Sequence, residues 1–79
     1  MPTTQPITAE RIEATEQELI ISVDGKDVRI PWEDCSPRLA SATPQQRTEA
    51  ELSPGGYGIH WSTIDEDLAV GTLISSIRA

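Results

Sequence analysis

The stretch ELIISVDGKDVRIPW, Glu18 to Trp32, decides the fold. Asp24-Gly25 is a dipeptide that tolerates positive φ at both positions, the requirement of a two-residue hairpin turn. Pairing across it sets Val23 opposite Lys26, Ile21 opposite Val28 and Leu19 opposite Ile30. Side chains alternate along a strand, so Leu19, Ile21, Val23, Val28 and Ile30 share one face, and that face must be the core. Ser22, Asp27 and Arg29 fall on the other face, with Ile20. Upstream, ITAERIEAT supplies a third strand against the first, with Ile12 and Ala14 inward. Pro31 ends the pattern, because proline has no N–H to give the ladder.

Beyond Pro31 the signals turn helical. Ser36-Pro37 is an N-cap followed by proline in the first helical position, and predicts a short helix over 37–42 that buries Leu39 and one of Ala40 and Ala42. Thr43-Pro44-Gln45-Gln46 repeats the device with Gln46 where a capping box needs it. TEAELS alternates, with Ala50 and Leu52 inward, and reads as a strand. PGGYG is a turn. IHW then returns as a short strand with Ile59 and Trp61 inward and His60 outward. In DLAVGTLISSI the residues Leu68, Val70, Leu73, Ile74 and Ile77 stand near helical spacing, although Gly71 weakens such a helix by about 1 kcal/mol. The sum is a small α+β domain over residues 7–79, a mostly antiparallel sheet with short helices packed on one side, after a disordered tail at residues 1–6.

Length and charge narrow the function. A chain of 79 residues holds one domain with a small core, and leaves little room for a deep substrate cavity. Six basic residues against thirteen acidic ones, a net charge of −7, cannot form the basic patch that phosphate binding needs. Direct nucleic-acid binding is not expected, and an acidic surface suits a basic protein partner. One cysteine, Cys35, excludes an intramolecular disulfide. No apolar run approaches the roughly 18 residues of a membrane span. The sequence reads as cytoplasmic.

GIHWSTIDEDLA, Gly58 to Ala69, carries the densest chemistry: the one histidine, a tryptophan and three successive carboxylates. Asp65-Glu66-Asp67 ahead of the last helix fits the positive end of its dipole, which needs no ligand. Three consecutive carboxylates rarely converge on one ion, so no metal or cofactor is expected. His60 can pair with Asp65 or Asp67 as an acid–base dyad, but no serine or cysteine nucleophile stands at a motif beside it. Cys35 lies next to carboxylates that raise a thiol's pKa and make it inert. Trp32 and Trp61 are core fillers or, for one of them, a partner anchor. GGYG lacks the lysine and the helix of a phosphate loop.

Asp24-Gly25, Pro37-Arg38-Leu39, Ala42-Thr43-Pro44 with Arg47, Ile59-His60-Trp61 and Asp65-Glu66-Asp67-Leu68 occur together in an order that resembles the bacterial family called domain of unknown function 2442. The resemblance implies a small α+β fold and no established enzymatic activity. It further implies a two-gene, toxin–antitoxin-type module in which this acidic chain is the antitoxin-like partner. Ala50 departs from the family, which often has an aromatic residue there. The leading expectation is a non-enzymatic protein-binding module, monomer or homodimer, that docks a small basic protein. Arg38, Arg47, His60, Trp61, Asp65, Glu66 and Asp67 are its expected partner-binding residues, or else a lock in which Arg38 or Arg47 pairs with Asp65 or Asp67. The alternatives are a metal-binding or small hydrolytic protein using His60 and the acidic run, and a structural homo-oligomer closing a sheet edge on itself.

Overall fold

A computed structural model describes residues 7–78, with side chains described through Ser75. The expected tail at residues 1–6 lies outside the described residues. Strands β1 (Arg11–Ala14), β2 (Glu18–Val23) and β3 (Lys26–Pro31) form one antiparallel sheet in the order β1-β2-β3. The hairpin register matches the expected one, Val23 with Lys26, Ile21 with Val28 and Leu19 with Ile30, and β1 sets the expected inward residues Ile12 and Ala14 against Ile21 and Leu19. Asp24 at φ 51° and Gly25 at φ 76° make the mirror-image turn whose twist suits a hairpin. Between β1 and β2, the Thr15 hydroxyl accepts from the Gln17 and Glu18 N–H groups and closes a tight side-chain turn.

Three helical turns follow. Helix α1 (Trp32–Cys35), unforeseen in the sequence, begins as the ladder ends at Pro31, and places Glu33 and Asp34 in its first turn. Ser36 at φ −169° separates it from α2 (Pro37–Ala40) and accepts from the Leu39 N–H as the expected cap. This helix stops at Ala40, two residues short of the expectation, with Ser41 as its C-cap; the residue before the next proline then avoids helical ψ. That residue, Thr43, sits at ψ 158° and caps α3 (Pro44–Thr48) with both halves of the capping box present.

The α+β class expected from the sequence holds, with the strands divided between two sheets. The second sheet is β4 (Ala50–Leu52), β5 (Gly58–Trp61) and β6 (Glu66–Ala69), antiparallel in that order. Helix α4 (Val70–Arg78) follows β6 directly. Both sheets turn their apolar faces onto one core of Leu19, Ile21 and Ile30 from the first, Ile59 and Trp61 from the second, Trp32 and Leu39 from α1 and α2, and Val70, Leu73 and Ile74 from α4.

Residues 7–10 join the sheets. The Ala9 N–H donates to Gly56 O at 2.7 Å, in the 3₁₀ turn Pro54–Gly56, and the Glu10 N–H donates to Ser22 O at 2.8 Å on β2. Gly56 has φ 78°, and a Cβ there would stand 2.2 Å from Ala9 O. Gly25 also has positive φ but nothing within 4 Å of its would-be Cβ. Gly25→Ala should therefore cost only the left-handed penalty of about 1–2 kcal/mol. Gly56→Ala adds a backbone collision at the seam and should lower the melting temperature by clearly more, at about 4–8 °C per kcal/mol for a domain of this size. Equal losses in thermal unfolding would mean that residues 7–10 yield freely and do not tie the sheets.

Candidate functional site

The outward face of the second sheet is built by parity. Trp61 and Ile59 are buried, so His60 between them points outward, and the register sets Glu51 of β4 and Asp67 of β6 on either side of it. His60 Nδ1 lies 2.7 Å from Asp67 Oδ1. A carboxylate only accepts, so Nδ1–H donates and the tautomer is set. Both side chains are open to solvent, at 40% and 76% of their free area. Two register steps along, and so on the same face, Gly58 faces Ala69, and these two small residues floor a shallow hollow whose rim includes Tyr57, His60 and Asp67. Tyr57 is 54% exposed, the one large hydrophobic side chain among the described residues left so open.

The two sheets differ in charge. Strands β1–β3 carry Arg11, Lys26 and Arg29 against Glu13, Glu18 and Asp27. Arg11 Nε donates to Ser22 Oγ, which donates to Asp27 at 2.6 Å, and Arg29 donates to Glu18 at 2.7 Å. That hydrogen bond, then Glu18's charge, raises the Arg29 pKa. Strands β4–β6 carry Glu51, Glu66 and Asp67 with no lysine or arginine.

Several expected site residues serve the fold instead. The carboxylate run does not cap a helix: Ser62 to Asp65 turn the chain, Asp65 stands at φ 51°, and Glu66-Asp67 lie on β6. The alternation of Glu66-Asp67-Leu68-Ala69 pairs with β5 and delays the helix to Val70. Arg38 does reach this turn, but its Nη1 donates to the carbonyls of Ile64 at 3.0 Å and Asp65 at 3.1 Å, so the lock runs through backbone and not through a carboxylate. Arg47 is aimed at α2, with Nε to Leu39 O at 2.9 Å and Nη2 to Ala40 O at 2.8 Å, carbonyls that a helix end leaves outside the regular helical ladder. Trp61 is fully buried and its Nε1 donates to Arg47 O, which removes it from any partner surface. Only His60 and Asp67 of the expected set meet through their side chains.

Glu51, Tyr57, Gly58 and Ala69 were missing from the expectation. An aromatic residue closing a glycine-rich turn was the signal for Tyr57, and the parity of AEL against IHW was the signal for Glu51. Cys35 is half-buried, and burial, then the charge of Asp34, pushes its thiol up to about 12 against a partial opposition from Arg47. No group of three or more His, Cys, Asp or Glu among the described residues is placed to hold a metal ion. No described helix is long and apolar enough to cross a membrane.

Fold and face together define a small α+β protein with one charge-balanced sheet and one acidic sheet. The chain belongs to the family described as protein of unknown function (DUF2442), whose sequence profile matches residues 9–79. No protein with a curated description matches it. Its fold is similar to that of a protein of unknown function from Rhodospirillum rubrum, with a TM-score of 0.78 at 24% identity over 91% of this chain and 89% of that one.

Three outcomes follow from this geometry. Arg47→Ala removes two charged hydrogen bonds and should lower stability by about 1.5–3 kcal/mol in urea unfolding. His60→Ala breaks an exposed pair and should cost no more than about 1 kcal/mol. A His60 variant as damaging as the Arg47 one would place the histidine in the fold's support. At high pH the unfolded thiol ionises near its usual value of about 8.5 while the folded one resists, so the unfolded state holds fewer protons. Stability should then fall as pH rises from there toward about 12, and Cys35→Ala should remove that part of the slope.

Proposed function

We propose that this chain is a non-enzymatic protein-binding module that docks a small basic protein on the outward face of its second sheet. The observation that carries the reading is the charge partition: three strands without a lysine or arginine, whose outward face presents Glu51 and Asp67 beside the exposed Tyr57, with Glu66 on the opposite, Trp61 side. Complementary charge gives such a face its choice of partner and speeds the encounter. Interfaces favour tyrosine as an anchor. The family resemblance adds the finer role of the acidic, antitoxin-like half of a two-gene module.

Against an enzyme stands the poverty of His60's surroundings. Its one hydrogen-bonded side-chain neighbour among the described residues is Asp67, and the Ser53 hydroxyl that shares the hollow is engaged by the Gly58 N–H. The Cys35 thiol is held neutral by burial. Closure of the β3 edge on a second copy is opposed by Lys26 and Pro31 at its two ends, residues that discourage edge pairing.

Affinity purification of the tagged chain from its native host, followed by mass spectrometry, tests the reading. A small basic protein should come along in stoichiometric amount and be released by salt, whose screening length is about 3 Å at 1 M. Asp67→Asn and Glu51→Gln should reduce its capture, while Asp27→Asn on the first sheet should not. A chain recovered without a partner, or one whose partner is indifferent to both salt and these variants, overturns the proposal.

A further inference from the structure

The hollow beside Tyr57 has more specific chemistry than an acidic face requires. Its aromatic wall is positioned by a glycine: a Cβ on Gly55 would stand 2.8 Å from Tyr57 Cε2 and 3.0 Å from Cδ2, so the ring lies against backbone that only glycine leaves bare. The loop beneath is closed by hydrogen bonds. Ser53 N–H donates to Gly58 O, Gly58 N–H donates to Ser53 Oγ, and Val70 N–H ties Tyr57 O to the start of α4. The opposite wall is Asp67, whose carboxylate His60 holds at 2.7 Å through one oxygen, the other having no hydrogen-bond partner among the described residues. Gly58 and Ala69 leave the floor low.

We propose that this hollow receives a lysine or arginine side chain of the partner, set between the Tyr57 ring and the Asp67 carboxylate; the inference rests on the binding-module reading. An aromatic face and a carboxylate both attract a cation. Arginine fits best, because its planar guanidinium stacks on a ring and pairs with a carboxylate at the same time. An anion would meet the Asp67 carboxylate, and an apolar side chain would strip water from Asp67 with no compensating bond. A bare metal ion lacks ligands here, since no three suitable groups converge among the described residues. No lysine or arginine on these strands competes for the place.

Nuclear magnetic resonance titration of the full chain tests this with three probes: N-acetyl-arginine amide, N-acetyl-lysine amide and the uncharged N-acetyl-norleucine amide. The two cations should shift the amides of Gly58, Asp67 and Ala69 and the ring of Tyr57, and the norleucine amide should not. Tyr57→Leu should weaken the arginine probe by about two- to five-fold, the range of an exposed cation–π contact. Tyr57→Phe should preserve the affinity and Asp67→Asn should reduce it. Shifts spread over the acidic residues of both sheets, or equal response to norleucine, would overturn the site. Retention of the captured partner by Tyr57→Leu at the original level would also remove the hollow as anchor while leaving the module reading intact. Cation binding at the hollow with no protein captured from the host would keep the site's chemistry and overturn the module reading.

Discussion

The structure depends on the burial of two indoles that each carry an N–H. Trp32 and Trp61 meet edge to face, with ring centroids 6.2 Å apart and planes at 83°. Neither N–H can be left bare in a core without a cost of roughly 1–3 kcal/mol. Trp32 Nε1 donates to Thr15 O and Trp61 Nε1 donates to Arg47 O. These two acceptors position the β1–β2 turn and the end of α3 relative to the core. Arg47, held by its own carbonyl, then reaches back with its guanidinium to the end of α2, and Arg38 of α2 reaches the β5–β6 turn. The short helices thus brace the sheets through side chain-to-backbone bonds, which suits a chain too small to rely on a large apolar core.

The inward direction of Trp61 also decides what the surface presents. A strand that slipped by one residue would bury His60 and expose Trp61 and Ile59, so parity is strongly enforced. Glu51, His60 and Asp67 are outward because Ala50, Leu52, Ile59, Trp61 and Leu68 pack toward the core. The candidate site is therefore a consequence of core packing. Its composition could have been otherwise without disturbing the fold, since Asp67 and Glu51 contribute nothing to the interior.

Legibility from sequence tracked the range of each interaction. The Asp24-Gly25 hairpin, the Ser36 cap and the Thr43–Gln46 box are local, and each has a residue type demanded by its backbone. The Asp65-Glu66-Asp67 run was misleading because two periods overlap at Leu68. It belongs equally to an alternating Glu-Asp-Leu-Ala and to a helical Leu68, Val70, Leu73 series, and only the distant strand Gly58–Trp61 decides between them. The division into two sheets is likewise a matter of long-range pairing. Arg38 and Arg47 pointed to carboxylate partners because carboxylates are visible in a sequence, whereas every residue offers a carbonyl and none announces itself as an acceptor.

Net charge illustrates the same limit from the functional side. A value of −7 for the chain says nothing about where a counter-charge is wanted. Folding sorts the ionic groups by sheet. On the first, cations and anions alternate across neighbouring strands, and Arg11, Ser22 and Asp27 form a connected chain over an otherwise buried serine. Arg38 and Arg47, the cations of the middle segment, are committed to carbonyls. No described lysine or arginine side chain is thus bonded to the strands of the second sheet, whose own basic group is His60, already donating to Asp67. An acidic face left without an internal counter-charge is tolerable in water and becomes favourable against a cationic surface, because desolvation there is offset by direct pairing. The proposed partner face follows from this sorting of charge, with Tyr57 adding the apolar contact that charge alone cannot supply.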